Sequence, residues 1–188
     1  IILIKSIKSK KHIISFSGRF SKNITKKNTV FKLLEILDKK KLLNNKKFQI
    51  KINKQIPSKA GLGGGSMNAG SILKYFIKKK IIKTSKKNIT EISKSIGSDV
   101  ILGLNFTNSI LTSTNEIKLF RKFKLFYALI IKPNFGCSTK QIYSNVKKFN
   151  KPKIKQPLKK MFDLNYLKKM DNSLEHVALL KYPKLRLI

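Results

Sequence analysis

The sequence predicts an α+β chain. Segments with strand periodicity and segments with helical periodicity mix without strict alternation, and a cluster of glycines falls between one strand and one helix. A lysine-rich and proline-containing stretch then divides residues 1–146 from residues 160–188, so 147–159 reads as a linker between a first domain and the start of a second. A length of 188 residues is enough for one domain with a sizeable core, or for one and part of another.

Taken in order, Ile1–Ile7 and His12–Ser17 read as short strands joined by the lysine-rich turn Lys8–Lys11, a pattern suited to a hairpin. Asn28 or Thr29 can cap a helix whose apolar face is Val30, Leu33, Leu34 and Leu37, ending near Leu43-Asn44-Asn45. Phe48, Ile50 and Ile52 alternate with polar residues and predict a strand over Phe48–Lys54. Beyond the glycines, Ala69, Ile72, Leu73, Phe76 and Ile77 predict a helix from Ser66 to about Lys80. A shorter helix is expected over Thr90–Ser95, then a turn at Gly97-Ser98-Asp99. Strands follow at Ser109–Ser113, Glu116–Phe120 and Phe126–Ile131, the last nearly all apolar and therefore expected at the centre of a sheet. Leu174, Val177, Ala178 and Leu180 can line a final helix before Pro183. No internal repeat is evident.

Composition narrows the function classes. The formal charge is +35, from 43 Lys+Arg against 8 Asp+Glu, a balance that ordinarily suggests nucleic acid. Only Arg19, Arg121 and Arg186 are arginine, however, and base readers favour the bidentate guanidinium. The lysines are spread along the chain beside abundant Ile and Asn, as A/T-rich codon bias would produce, so no specific nucleic-acid partner is expected. The net field would still draw in a polyanionic nucleotide. There is no signal peptide and no apolar run of membrane-spanning length, and a cytoplasmic protein without a membrane partner is expected. Cys137 is the only cysteine, and His12 and His176 lack a second ligand at metal spacing, so neither a disulfide framework nor a protein-held metal is expected.

The most informative stretch is Lys54–Ala69, where Gly61, Gly63, Gly64 and Gly65 concentrate four of the nine glycines. Glycine admits positive φ and lets backbone N–H groups approach a ligand, and the helix that follows offers unpaired donors and a positive dipole end to an anion. Ser66, at the expected helix start, can cap it or touch a phosphate or its magnesium. A glycine-rich turn capped by Ser66 without a ligand is the plainer alternative. No Gly-Lys pair occurs, which excludes the Walker A pattern, and the dinucleotide fingerprint Gly-x-Gly-x-x-Gly is absent too. A serine-hydrolase elbow fails at the last position of Gly64-Gly65-Ser66-Met67-Asn68.

The eight carboxylates are Glu35, Asp38, Glu91, Asp99, Glu116, Asp163, Asp171 and Glu175. Glu35 and Asp38 fall on or beside the polar side of a helix, Glu91 in a helix's first turn and Glu116 at a turn between strands. Asp99, in Gly-Ser-Asp-Val just before Ile101 and Leu102, stands where a loop can aim a side chain into a cleft, or simply shape a turn.

Pro57-Ser58-Lys59-Ala60-Gly61-Leu62-Gly63-Gly64-Gly65-Ser66 resembles the ATP-binding motif of the GHMP kinases, and further segments are similar to that family in the same order. These are Asn28-Thr29-Val30, Ile96-Gly97-Ser98-Asp99-Val100, Lys132-Pro133-Asn134-Phe135-Gly136 with Ser138-Thr139, and Asn172-Ser173-Leu174-Glu175. The triple glycine points to the branch that phosphorylates the 2-hydroxyl of 4-diphosphocytidyl-2-C-methyl-D-erythritol in non-mevalonate isoprenoid (terpenoid) biosynthesis. The resemblance implies a GHMP kinase N-terminal domain, a ribosomal-protein-like two-layer fold, over 1–146 and the beginning of the family's second α+β domain over 160–188. It implies ATP with Mg2+ on Pro57–Met67, Asp99 as the catalytic carboxylate, and a small-molecule cytidine diphosphate substrate held by Thr139 and by Tyr143 against the cytosine ring. Tyr143 as a packed helix residue is the alternative. Met67 stands where the family usually has a second serine, and Ile101 where many members have proline. The family's lysine beside the aspartate, and the aromatic and histidine that hold cytidine, have no match, so a fragment short at both ends and inactive alone is expected. Two other readings stay open: a basic RNA-binding module of ribosomal-protein-like fold, and a GHMP kinase with a different acceptor.

Overall fold

Phe48, Ile50 and Ile52 are the residues around which the first half of the protein assembles. The computed structural model describes residues 1–22, 24–105, 107–112, 116–120, 126–147, 156, 158, 161 and 163–187. These fall into two units, one of Ile1–Ser58 and Leu62–Phe106, the other of Lys59–Gly61 and Thr107–Ile188.

In the first unit β3 (Lys47–Asn53) lies at the centre of a three-stranded sheet, flanked by β1 (Ile2–Ile7) and β2 (Ile13–Ser17). β1 runs antiparallel to it, with Ile4 opposite Ile50, and β2 runs parallel, with Ile14 also opposite Ile50. The hairpin expected of β1 and β2 does not form. Burial explains the choice: the β3 side chains Phe48, Ile50 and Ile52 are fully buried, while Ile2, Ile4, Ile14 and Phe16 are only partly covered. The most apolar strand takes the position with neighbours on both edges. Residues 8–12 then cross two strand spacings, about 10 Å.

One face of this sheet carries the helices. α1 (Thr29–Lys39) is capped by Asn28, whose side-chain oxygen accepts from the N–H groups of Val30 and Phe31. Val30, Leu33, Leu34 and Leu37 are buried, as their spacing predicts. The helix stops at Lys39, short of Leu43, because Lys41, Asn44 and Asn45 adopt positive φ and cannot continue a right-handed turn. α2 (Gly64–Lys78) buries Ala69, Ile72, Leu73 and Phe76, and the ring of Phe76 packs at 4.8 Å on Phe48. α3 (Lys86–Ile96) is longer than the expected Thr90–Ser95: Ser85 caps it by accepting from the Asn88 N–H, and Ile92 and Ile96 face the core. Glu91 is therefore a mid-helix, exposed residue and not part of a first turn. After Gly97 the chain forms a 3-10 helix over Ser98–Leu104 in place of a simple turn, burying Val100. Sheet below and helices above make two layers with a single apolar seam between them.

In the second unit β4 (Asn108–Leu111) and β5 (Ile117–Phe120) form an antiparallel pair, close to the expected strands, although residue 113 lies outside the described residues. Residues 126–131 are not a strand. Tyr127 is 92% and Leu129 89% exposed. An apolar run states a preference for burial, but a central strand also needs a hydrogen-bonding edge on each side, and among the described residues this one has none. The short helices α4 (Thr139–Ser144), α5 (Leu164–Lys168) and α6 (Glu175–Lys181) follow, then a 3-10 helix over Pro183–Leu187. Leu180 points to solvent, and Leu179, Ala178 and Val177 are the partly covered residues of α6. The expected linker 147–159 falls almost wholly outside the described residues. No described helix is long and apolar enough to cross a membrane.

Candidate functional site

The site is built at the start of α2. Helix formation begins inside the glycine triplet and not at Ser66: Gly63 is the N-cap, in the left-handed region at φ 61°, ψ 12°, and no side chain caps the helix. The first intrahelical bond runs from the Met67 N–H to the Gly63 carbonyl, 2.9 Å. The N–H groups of Gly64, Gly65 and Ser66 precede any carbonyl one turn back and are left facing out of the helix end. Ser66 is thus a first-turn residue, and its Oγ lies 3.9 Å from the point where a Cβ on Gly97 would stand.

Three separated stretches converge on this helix end within the first unit. Thr29, the first residue of α1, donates its hydroxyl to the Gly65 carbonyl at 2.8 Å, so the starts of α1 and α2 are tied together. Asp99, in the first turn of the 3-10 helix, is exposed and accepts from the Ser98 hydroxyl at 3.1 Å. Its Oδ2 lies 3.9 Å from the Cβ position of Gly63, which places the carboxylate beside the glycine loop. The third is Lys54, the residue that follows β3. Its main chain is held by an N–H donated to Ser17 and a carbonyl accepting from Phe20, and its side chain runs inward until Nζ is 2.9 Å from the Cβ position of Gly64. Only 7% of Lys54 is exposed, and burial lowers its pKa from the ordinary lysine value.

Close packing holds Asp99 where it is. A Cβ on Gly70 would fall 2.5 Å from the Val100 carbonyl and 2.8 Å from Gly103 Cα, so α2 and the 3-10 helix touch backbone to backbone. Lys32 donates to the Ile96 carbonyl at 3.4 Å, closing the end of α3 just before Gly97.

Of the loop itself, Pro57, Ser58 and Leu62–Met67 belong to the first unit and Lys59–Gly61 to the second. Lys59 and Gly61 both have positive φ, and the Lys59 carbonyl accepts from the Cys137 N–H at 3.0 Å. Thr139 and Tyr143 also belong to the second unit. Ser138 caps α4, its N–H donates to Tyr182 Oη at 3.0 Å, and the Tyr182 hydroxyl donates to Gln141 Oε1 at 2.8 Å. Tyr182 additionally stacks on Phe135. Tyr143 is 52% exposed, so it is not the packed core residue of the alternative reading.

Lys54, Gly70 and Gly103 in the first unit, and Tyr182 in the second, have no role assigned from sequence, and Thr29, expected there only as a possible cap, ties α1 to the glycine loop. A mid-helix glycine at position 70 was a visible signal of close approach. Lys54 is the next inward position of the alternation Phe48, Ile50 and Ile52, and that phase was the signal for its burial. Among the described residues no group of three or more His, Cys, Asp or Glu could hold a metal ion.

Comparison with known proteins places these features in a family. Residues 28–107, which contain α1, β3, the glycine loop, α2, α3 and the 3-10 helix, match the family described as GHMP kinases N terminal domain. The chain is 57% identical over 187 residues to a 4-diphosphocytidyl-2-C-methyl-D-erythritol kinase of Pelagibacter ubique (strain HTCC1062), covering 100% of this chain and 66% of the relative. It is 33% identical over 196 residues to one of Clostridium botulinum (strain Loch Maree / Type A3), covering 99% of this chain and 69% of that relative. The chain thus spans about two thirds of the length of these curated relatives. A crystal structure of 4-(cytidine 5'-diphospho)-2C-methyl-D-erythritol kinase superposes with a TM-score of 0.64 at 21% identity, over 99% of this chain and 66% of that one, and shows the shared fold. With a helix that opens inside three glycines, an aspartate set beside it and similarity to these relatives along its own whole length, the chain belongs to the 4-diphosphocytidyl-2-C-methyl-D-erythritol kinase family of the GHMP kinases.

Proposed function

We propose that this chain carries the ATP-binding half of a kinase that moves the γ-phosphate of ATP to the 2-hydroxyl of 4-diphosphocytidyl-2-C-methyl-D-erythritol, a step of isoprenoid biosynthesis. The observation that carries the reading is the joint placement of the Gly63–Gly65 helix start and Asp99, in a chain alignable from end to end with relatives of that name. The helix end fits a nucleotide triphosphate: its outward N–H groups are unoccupied by caps, and Gly64 leaves no room for a Cβ between itself, Lys54 and Ile56.

ATP supplies the phosphoryl group, and its magnesium neutralises charge on the phosphate oxygens. Magnesium would arrive on the phosphates, as it commonly does, where the Ser66 hydroxyl at the helix start could touch it. Pro57–Met67 wrap the nucleotide, with Gly64, Gly65 and Ser66 donating N–H groups and the Ser66 hydroxyl close enough to join them. Asp99 orients the acceptor hydroxyl and takes its proton. Tyr143, exposed on α4, offers a ring face to cytosine, and Thr139, at the first turn of the same helix, offers a hydroxyl. The enzyme works in the cytoplasm, on a small-molecule partner.

The test is turnover by the polypeptide that contains these residues, given ATP, magnesium and the cytidine substrate, with ADP release and phosphorylated product both measured. Transfer to the cytidine substrate is expected. Transfer to homoserine or mevalonate in its place would keep the kinase and reassign the acceptor, and absence of ATP binding would sink the reading.

A further inference from the structure

We infer that Lys54 is the built-in counter-cation of the nucleotide phosphates: its side chain is largely covered, and its ammonium, held against the backbone of Gly64, completes an anion site whose other donors are the N–H groups at the start of α2. The inference rests on the reading that this helix end receives ATP, and adds a residue to it.

The argument begins with an imbalance. A lysine is almost never fully buried unless its charge is paired, yet Lys54 is 93% covered and forms no ion pair or side-chain hydrogen bond among the described residues. Asp38 and Glu35 are engaged elsewhere, by Lys47 and Lys39. The place it occupies makes matters worse, since a helix start already carries a partial positive charge. Asp99, whose carboxylate stands beside Gly63 at the same helix end, is bonded to the Ser98 hydroxyl and forms no ion pair with Lys54 among the described residues, so the ammonium has no direct counter-charge in the empty protein. An anion at the helix end reverses the sign of both terms.

The chain enforces this position. Ser17 and Phe20 bind the Lys54 main chain on either side, and Gly18, at φ 91°, lets that segment press against it: a Cβ there would lie 2.9 Å from the Lys54 carbonyl. Glycine at 64 then leaves the space that Nζ fills. These contacts fix the main chain from which the side chain starts, and Ile56, 3.2 Å from the same Cβ position, lines the space that Nζ fills. Burial weakens the ammonium's hold on its proton, and an anion at the helix end would restore it.

Replacing Lys54 by Met keeps the apolar stem and removes the charge, and Lys54→Gln does the same with a polar end. Each is compared with wild type for thermal unfolding without ligand and for binding of ATP and of inorganic tripolyphosphate by calorimetry. The expected result has opposite signs: melting at or above the wild-type temperature, because an uncompensated buried charge is gone, and a tenfold or greater loss of affinity for both ligands. Wild-type affinity in either folded variant would overturn the inference while leaving the loop as the nucleotide site. Loss of ATP affinity with tripolyphosphate unchanged would overturn it too, by moving Lys54 to the base or ribose. A wild-type chain that binds neither ligand would instead remove the reading of the loop itself.

Discussion

Gly70 of α2 and Gly103 of the 3-10 helix pack against one another so closely that a Cβ on Gly103 would sit 3.1 Å from Gly70 Cα, and one on Gly70 2.8 Å from Gly103 Cα. This contact sets the distance between the helix that opens at the glycine loop and the segment that begins with Asp99. Gly70→Ala must push the two elements apart, because its nearest obstacles are backbone atoms. Overpacking of this kind typically costs about 1–3 kcal/mol, so the urea midpoint should fall, and catalysis should suffer through displacement of Asp99. Gly97→Ala is the comparison: its backbone is extended at φ 174° and its nearest contact, 3.8 Å, is ordinary. That variant should unfold within about half a kcal/mol of wild type.

Asp99→Asn tests the chemistry. Asparagine keeps the size and the contact with Ser98 but neither accepts a proton nor carries charge. General-base assistance typically contributes about 10²–10⁴-fold, and turnover should fall by that order with ATP and substrate affinity nearly retained. Glu91→Gln, an exposed change in the middle of α3, should leave activity untouched. Near-full turnover in the Asp99 variant would send the search for the base elsewhere.

Gly64→Ala should weaken ATP binding. The added methyl would meet Lys54 Nζ at 2.9 Å and Ile56 at 3.2 Å, and because Gly64 is buried the substitution should also lower stability. Affinity and melting temperature should therefore drop together, in contrast to Lys54→Met, where they part. ATP affinity unchanged in a folded Gly64→Ala protein would count against the loop as the phosphate site.

Acid should loosen the sheet. His12 Nδ1 accepts the Phe48 N–H at 3.0 Å, so its proton sits on Nε2, facing Asp38 at 3.2 Å, while Lys47 holds the same carboxylate oxygen at 2.6 Å. Burial lowers the His12 pKa, partly offset by Asp38, and a proton forced onto Nδ1 would break the bond to β3. With the folded value below the unfolded one of about 6.5, the unfolded chain binds more protons between them. The stabilisation is complete above about pH 6.5 and is lost as pH falls through the folded value. Melting temperature measured from pH 8 to 5 should show this decline, and His12→Asn should flatten it.

Spread lysines predict unselective RNA binding that disappears steeply with salt, the slope reporting the number of neutralised phosphates. Filter binding across a salt series gives it directly. Nanomolar, sequence-selective binding at physiological salt would revive the RNA-binding reading.

What the sequence by itself determined is what short-range physics decides. The spacing of Val30, Leu33, Leu34 and Leu37 assigned α1 its buried face, Asn28 its cap, and the alternation of Phe48, Ile50 and Ile52 the inner side of β3. The glycine cluster marked a strand-to-helix junction, and the kinase motifs named the family. Only the tertiary structure decided that β3 separates β1 from β2, because alternation tells which side chains turn inward but not which strand lies alongside. It also decided that α2 starts at Gly64, that Ser85 caps α3 and that residues 126–131 have no ladder among the described residues. The burial of Lys54 and the touch of Gly70 on Gly103 belong to the same class: each joins residues more than ten positions apart or depends on what closes over a side chain. A local pattern fixes which way a residue faces, and the neighbour it meets there is set by the packing of the whole unit.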